Sequence, residues 1–519
     1  MRYTVLKTVG KLVLCGAILF GPSSCSNFLG EVPPSNLTTD NFYTIPDHAE
    51  SALAAVYDNT RFIGGGAGIF SNNWQMLEAL TGTSTTETAQ NSDLNNLYSL
   101  SHDGNTVHVV NYWNGIYRVI ANANQVLDRV PAITPMNDAQ KAKILGEARF
   151  LRAWAYFMAV RLWGDIPLVT KPQTATSEDF LPTRAPQESV YNLIVQDLIA
   201  AEASGLPWMD ATGRIGMAAV KTQLAKVYLT MAGFPLSKGA SHYKLAADKA
   251  LEVVTYANAN SGTINLFPTF EDVHRENLKN RTEHLFQIQY NSVVASNPMD
   301  NFYGNFKPIN YNGPTGTGSS VPTASFYNSF EAGDLRTKDQ EGYFYTTYFT
   351  NGTGARFELG APYVFKHFNR TANGTSGTPG TRLNNLNVPQ IRFAETLLIF
   401  AEAQNEVGGP TAATIEALKR IRDRAKLTTA ATYTQAAFRE AVWRERTYEF
   451  CYEQITWFDM IRTRKVFNET TKGFDNFVGH VNLSTNKALE AKHLLLPLPR
   501  PELLNNPSLG AQNPGYPGV

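Results

Sequence analysis

The segment Ala139 to Trp163 limits what this chain can fold into more than any other. Its second half, FLRAWAYFMAVRLW, is apolar on nearly every face at helical spacing, and Gly164 and Pro167 stop it. A helix hydrophobic all round is stable in water only when other helices bury it. The chain is therefore expected to be mainly α, with this helix inside a multi-helix scaffold.

Helical patterns flank it. Asp47 to Phe62 carries Ala52, Leu53, Val56 and Tyr57 on one face. Tyr112 to Val130 repeats Trp113, Ile116, Tyr117, Ile120 and Leu127, and Pro131 ends it. Glu188 to Ala203, Met217 to Ala232 and His242 to Ala257 follow. Short connectors, with Ala, Tyr, Leu and Trp where paired helices meet, suggest degenerate tetratricopeptide-like hairpins without a fixed 34-residue period. Residues 258–390 interrupt this array. They are rich in Gly, Asn, Thr, Tyr and Phe, with a β-like run at His284 to Tyr290 and irregular stretches at Asn297 to Pro322, Gly342 to Gly360 and Thr371 to Asn387. Long ordered loops of this kind usually carry function. Helices resume at Ile391 to Val407, Thr411 to Lys426 and Gln435 to Arg464, and 473–519 reads mostly as loop.

The N-terminus has the form of an export signal. Arg2, Lys7 and Lys11 precede the apolar run Leu12 to Phe20, and Gly21-Pro22-Ser23-Ser24 supplies small residues before Cys25. Nine apolar residues rise only about 14 Å as a helix, short of the ~20 residues that span a bilayer. A cysteine directly after the small residues points to a lipoprotein signal at 1–24 with acylation of Cys25, although Pro22 stands where Leu is common. Residues 25–40 then read as a lipidated tether, and 41–519 as one domain: a helical scaffold over about 41–257 and 391–465, and a loop-rich ligand region over about 258–390 with the C-terminal loops. Of the remaining cysteines, Cys15 leaves with the signal. Cys451, in Glu449-Phe450-Cys451-Tyr452, reads as a buried small hydrophobe, so no intramolecular disulfide is expected.

The 45 basic and 45 acidic residues balance, and loss of the signal leaves a net charge of about −3. Such a chain has no electrostatic footprint for nucleic acid, and membrane attachment falls to the acyl chains. Only 17% of residues are charged, while Tyr, Phe and Asn abound. That combination suits uncharged ligands. No H-E-x-x-H, paired C-x-x-C, G-x-S-x-G or P-loop occurs. The nine histidines form no i,i+4 pair, and no loop has calcium-binding spacing. Glu395, Glu402, Glu445, Glu449 and Glu453 lie on helices among basic neighbours and read as structural partners. Glu440 and Arg444 have i,i+4 spacing for an ion pair, and Asp334 with Arg336 reads as a local pair that shapes a turn.

Seven segments, in order, resemble the SusD-like (RagB) outer-membrane lipoproteins of Bacteroidetes. They are SNFLGEVPPSNLTTDNFY, TIPDHAESALAAVYDNTR, YWNGIYRVIANANQVLDRVP, EARFLRAWAYFMAVRLWGDIPLV, IRFAETLLIFAEAQNEVG, RERTYEFCYEQITWFDMIR and LLLPLPRPELLNNPSLGAQNPGY. One departure is visible: family members often carry Gly and Arg where Gln454, Ile455 and Thr456 separate Glu453 from Trp457. The resemblance implies four tetratricopeptide-like units with an irregular insertion and little β-structure. It implies a cell-surface, lipid-anchored, non-enzymatic protein without cofactor, in the outer membrane, that captures oligosaccharide and acts as the lid of a TonB-dependent SusC-like barrel. Peptide capture on the same fold is an alternative, and a surface glycosidase a more remote one.

The resemblance also places the ligand surface in the loop before the first repeat helix and in the central loops. By position these are Ser71 to His102, with Asn72, Asn73, Trp74, Asp93, Asn96 and Tyr98, and the region with Tyr290, Tyr303, Tyr311, Tyr345 and Tyr348. A sugar offers an apolar C–H face to a ring and hydroxyls to Asn or Asp. Trp74 between such neighbours suits a stacking platform; the other reading makes it a core residue anchoring a helix over Gln75 to Leu80. Trp113, Trp154, Trp163 and Trp457 are expected in the scaffold.

Overall fold

The computed structural model describes residues 42–65, 72–87, 91–306, 316–349, 356–369 and 384–519. Cys25, the signal and tether segments, and Tyr311 lie outside them. Sixteen α-helices are present among the described residues. In the first half they are α1 (Pro46–Asn59), α2 (Gln75–Leu80), α3 (Ser92–Tyr98), α4 (Val107–Arg129), α5 (Asp138–Trp163), α6 (Gln187–Glu202), α7 (Met217–Ala232) and α8 (Ala240–Ala259). The central region holds only the short α9 (Phe270–Val273), α10 (Met299–Tyr303) and α11 (Ala324–Ser329). Then follow α12 (Phe393–Gly408), α13 (Ala412–Arg424), α14 (Gln435–Glu449), α15 (Thr456–Thr463) and α16 (Arg500–Asn505).

The apolar helix is α5, and its second half is buried as its composition requires. The Asn137 side chain caps it by accepting from the Gln140 amide, and Gly164, at φ +78°, ends it in a conformation that favours glycine. Each long helix packs on the next in an unbroken series: α1 on α4, α4 on α5, then α6, α7 and α8 in turn. Helix α8 packs directly on α12. The array therefore continues across the insertion, with residues 260–392 looped out between two touching helices. The C-terminal segment straps α5, as Trp163 Nε1 donates to the Pro497 carbonyl (3.0 Å) and Asn513 Nδ2 to the Trp163 carbonyl (3.0 Å). Trp113, Trp154, Trp163, Trp457 and Cys451 are all buried in one continuous hydrophobic core, and burial pushes the Cys451 thiol up to about 12.

Four local expectations are corrected. Gly342 to Gly360 is not irregular: Phe344–Phe349 pairs antiparallel with Arg356–Val364, as the aromatic and threonine content of the first strand favours. Ile391 and Arg392 belong to a strand, Val388–Arg392, paired with His284–Ile288, and α12 starts only at Phe393. The helix expected from Gln435 to Arg464 breaks after Glu449, because Tyr452 and Gln454 adopt φ of 62° and 59°. Arg444 does not pair with Glu440; its Nη1 donates to the Lys472 carbonyl (3.1 Å).

The insertion is held to the scaffold by a buried ionic lattice. Arg392 reaches Glu453 (2.8 Å), Glu449 (2.9 Å) and Glu283 (2.5 Å). Arg424 joins Glu283 (2.6 Å) to Glu449 (2.7 Å), and Lys366 Nζ sits 2.6 Å from Glu453. Arg336 pairs with Asp334 (2.7 Å), as the sequence suggests, and also with Glu445 (2.7 Å). Burial alone would raise the Glu449 carboxyl, but Arg424, Arg392 and Arg336 hold it down at about 2.

Candidate functional site

The loop before α4 and the central insertion meet along one seam. Ser84–Thr85 pairs antiparallel with Val321–Pro322, and the Thr323 amide donates to the Thr83 carbonyl (2.9 Å). Tyr98 Oη donates to the Ser319 carbonyl (3.0 Å). Glu87 clasps both sides of the insertion: one carboxylate oxygen accepts from the Phe306 amide and the other from Tyr363 Oη, each at 2.9 Å.

Below this seam lie most of the residues singled out by sequence. Trp74 is 0% exposed; its Nε1 donates to Tyr303 Oη (2.9 Å), and its ring meets His367 edge-on at 5.5 Å. Tyr303 stacks on His367 at 5.1 Å, with planes 9° apart. His367 is neutral, since burial pulls it down to about 4. The Asn72 and Asn73 side chains are spent on the Gly64 and Phe62 carbonyls (2.8 Å each), which fixes the entry to α2. Tyr345 Oη accepts from the Asn305 amide (3.2 Å), while its ring packs on Tyr363 and Phe368. Tyr290 is buried against Gly64, where a Cβ would lie 2.2 Å from the tyrosine oxygen.

In this geometry Trp74, Asn72, Asn73, Tyr98, Tyr290, Tyr303 and Tyr345, expected as ligand contacts, are all buried within the fold. A buried ring has no face left for a sugar, and a buried amide bonded to backbone is held in place by that bond. Trp74 is the anchor of α2, which spans Gln75–Leu80 as the core reading requires. Asp93 and Asn96 stay half-buried: Asp93 Oδ1 accepts from the Val107 amide (3.1 Å), and Asn96 Oδ1 from Ser101 Oγ (3.2 Å).

Phe306, which sequence reasoning passed over, is 46% exposed at the lip of the seam beside the Glu87 carboxylate. Its one sequence signal is its position between polar Asn305 and Lys307. A separate cavity of about 400 Å³ is lined by Glu271, His274, Glu276, Phe365 and Phe368. Its two phenylalanine rings stack on each other at 5.2 Å.

Glu78, on α2, is buried without a salt bridge. Its Oε1 accepts from the Gln454 amide (2.7 Å), and burial pushes its carboxyl up to about 7. Among the described residues, no group of three or more His, Cys, Asp or Glu side chains is placed to hold a metal ion, and no helix is long and apolar enough to cross a membrane. The helix-borne glutamates are tied to cations, Glu395 to Lys226 (2.9 Å) and Glu402 to Arg462 (2.5 Å) among them.

Comparison with known proteins covers nearly the whole chain. The sequence model of the SusD family matches residues 336–516, and one described as "Starch-binding associating with outer membrane" matches 27–229. The chain is 28% identical over 449 residues to SusD-like protein P2 of Formosa agariphila, covering 81% of this chain and 83% of that one. A laminarin-binding SusD-like protein shares the fold at 23% identity, with a TM-score of 0.71 over 91% of this chain and 100% of that one. A SusD superfamily protein from Parabacteroides distasonis superposes with a TM-score of 0.84 at 31% identity, over 93% of this chain and all of the other. With that identity sustained along the full helical array and insertion, the chain belongs to the SusD superfamily.

Proposed function

We propose that this protein is a cell-surface lipoprotein that binds glycan through the seam between the loop before α4 and the central insertion. It acts by binding, without catalysis, and hands oligosaccharide to a TonB-dependent SusC-like barrel, over which it sits as a lid. Cys25 carries the lipid, and residues 26–40 form the leash that lets the lid open. The observation that carries the reading is Phe306: an exposed aromatic beside a carboxylate, at the junction of the two regions, in a chain of this family. Two neighbours of the fold support the class of ligand, being a laminarin-binding SusD-like protein and a surface glycan-binding protein A from Bacteroides thetaiotaomicron in complex with laminarihexaose. An aromatic face takes the C–H side of a sugar ring, and a carboxylate accepts from its hydroxyls. Each such hydrogen bond nets only about 1 kcal/mol against water, so affinity is weak and rests on several contacts.

Affinity electrophoresis against a panel of soluble polysaccharides tests this. At least one glycan should retard the protein, and Phe306→Ala should abolish the retardation. As an exposed side chain, Phe306 should change stability by no more than about 0.5 kcal/mol when truncated. Passage of the native protein through every glycan gel, together with capture of peptides from a mixed pool, would replace glycan with peptide as the cargo.

A further inference from the structure

A cavity of about 540 Å³ lies well away from the seam, among α5, α6, α7, α15 and the segment 490–495. Two cations line it without a carboxylate of their own. The Arg161 guanidinium is clamped between the rings of Phe157 (3.7 Å) and Phe458 (3.5 Å). Its Nε donates to the Phe157 carbonyl (2.8 Å), and among the described residues no acid pairs with its terminal nitrogens. Arg464 lies over Phe234 at 5.2 Å, and its Nη1 is buried without a partner. The other charges at the wall are already matched: Arg462 by Glu402 and Asp459, and Lys492 by Glu490. Tyr191 also lines the cavity, with its hydroxyl in no hydrogen bond among the described residues. Burial pulls Arg161 down to about 9, more than the distant pull of Glu395 and Asp459 offsets.

Unmatched guanidinium groups at the wall of a cavity are costly unless an anion completes them, and a planar, clamped guanidinium is preorganised for a carboxylate. The rest of the wall suits a sugar body. Phe234, 45% exposed, offers a ring face, and Tyr191 and Gln187 offer hydroxyl-type partners. The volume falls within the usual range for small-molecule sites, about 300–1,000 Å³. An extended peptide is less suited, because the walls are mostly helices whose backbone groups are already paired and present no strand edge.

We propose that this cavity is a second ligand site, for a carboxylate-bearing sugar such as a uronic acid, with Arg161 and Arg464 taking the carboxylate and Phe234 the ring. None of its residues belongs to the Phe306 seam, so it stands whether or not that seam binds glycan.

The test is calorimetric titration of the purified protein with D-glucuronate and D-galacturonate, against D-glucose and D-galactose. One of the uronates should bind and the neutral sugars should not. Arg161→Gln should weaken that binding by about 10-fold or more, the scale of one lost charge-assisted contact, without lowering Tm, since it removes an unmatched buried charge. Phe306→Ala should leave it unchanged. If Arg161→Gln fails to fold, half-buried Arg464→Gln carries the same expectation. No heat with either uronate, equal binding of the neutral parents, undiminished binding by a folded variant, or binding of an acidic dipeptide in place of the uronates would each overturn the proposal.

Discussion

Glu453 and Gln454 are neighbours in the chain, yet they serve two seams built on opposite principles. Glu453 belongs to the ionic seam that ties the insertion to the scaffold, where Arg392 and Lys366 hold its carboxyl down at about 2 against burial. Gln454 belongs to the neutral seam under the loop before α4. Its Nε2 donates to the Trp74 carbonyl (3.1 Å) and to Tyr112 Oη (2.5 Å), and its amide to Glu78. In the first seam, carboxylates lie among cations. In the second, the buried Glu78 carboxylate has no cation bonded to it. The difference teaches how the fold divides labour: the lattice makes the insertion's placement all-or-none, while the loop side is held by contacts that break one at a time.

The comparison breaks most sharply at Arg392. Arg392→Met leaves three buried glutamates without their shared partner, and removing one member of such a group costs about 3–5 kcal/mol. Thermal unfolding should show the largest drop of any substitution considered, or no soluble protein at all. Trp74→Ala comes next. It opens a cavity in the core at about 3–5 kcal/mol, but the loss should stay local, with hydrogen exchange rising over 72–101 and the lattice amides still protected. A Trp74→Ala protein of native stability would contradict the burial described here.

Acid and base should act on the two seams oppositely. Glu449 and Glu453 have carboxyls depressed from 4.5 to about 2, so the stability they contribute is present above pH 4.5 and is lost as pH falls toward 2. Glu78 is raised from 4.5 to about 7, so its contribution is full below pH 4.5 and fades as pH rises through 7. Glu78→Gln keeps an acceptor for the Gln454 amide and stays neutral. Its Tm should match the native protein at pH 4.5 and exceed it at pH 8. A gap that stays constant with pH would mean that Glu78 does not titrate in this range. Smaller than the losses at Arg392 and Trp74 is that of Tyr303→Phe, which removes the acceptor of Trp74 Nε1 and should cost about 1–2 kcal/mol, seen as a modest shift in the same unfolding curve.

The scaffold was legible because its signal is local. Helix α5 declares its burial residue by residue, and Met217–Ala232 carries a helix over the span its pattern marks. Asp334 and Arg336 are two residues apart, so their pairing could be read directly. The ionic lattice could not, since Arg392 finds Glu283 across 109 residues and Glu453 across 61. The same distance hid the fate of the site. Trp74 and Tyr303 are 229 residues apart, and only folding shows that they spend their polar atoms on each other. Local composition could not separate a ring that lines a surface from one that supports it. Gln454 adds a further case. It takes φ 59°, a conformation unfavourable for a side chain, while that side chain bonds Trp74 and Tyr112.

The central claim, that glycan is captured at the seam above Trp74 while the helical array serves as scaffold, is tested most directly by hydrogen–deuterium exchange with and without a polysaccharide that retards the protein. The account predicts slowed exchange over 84–101 and around Phe306 and 316–323, with α4 to α8 unchanged. Protection confined to those long helices, or spread evenly over the chain, would contradict it.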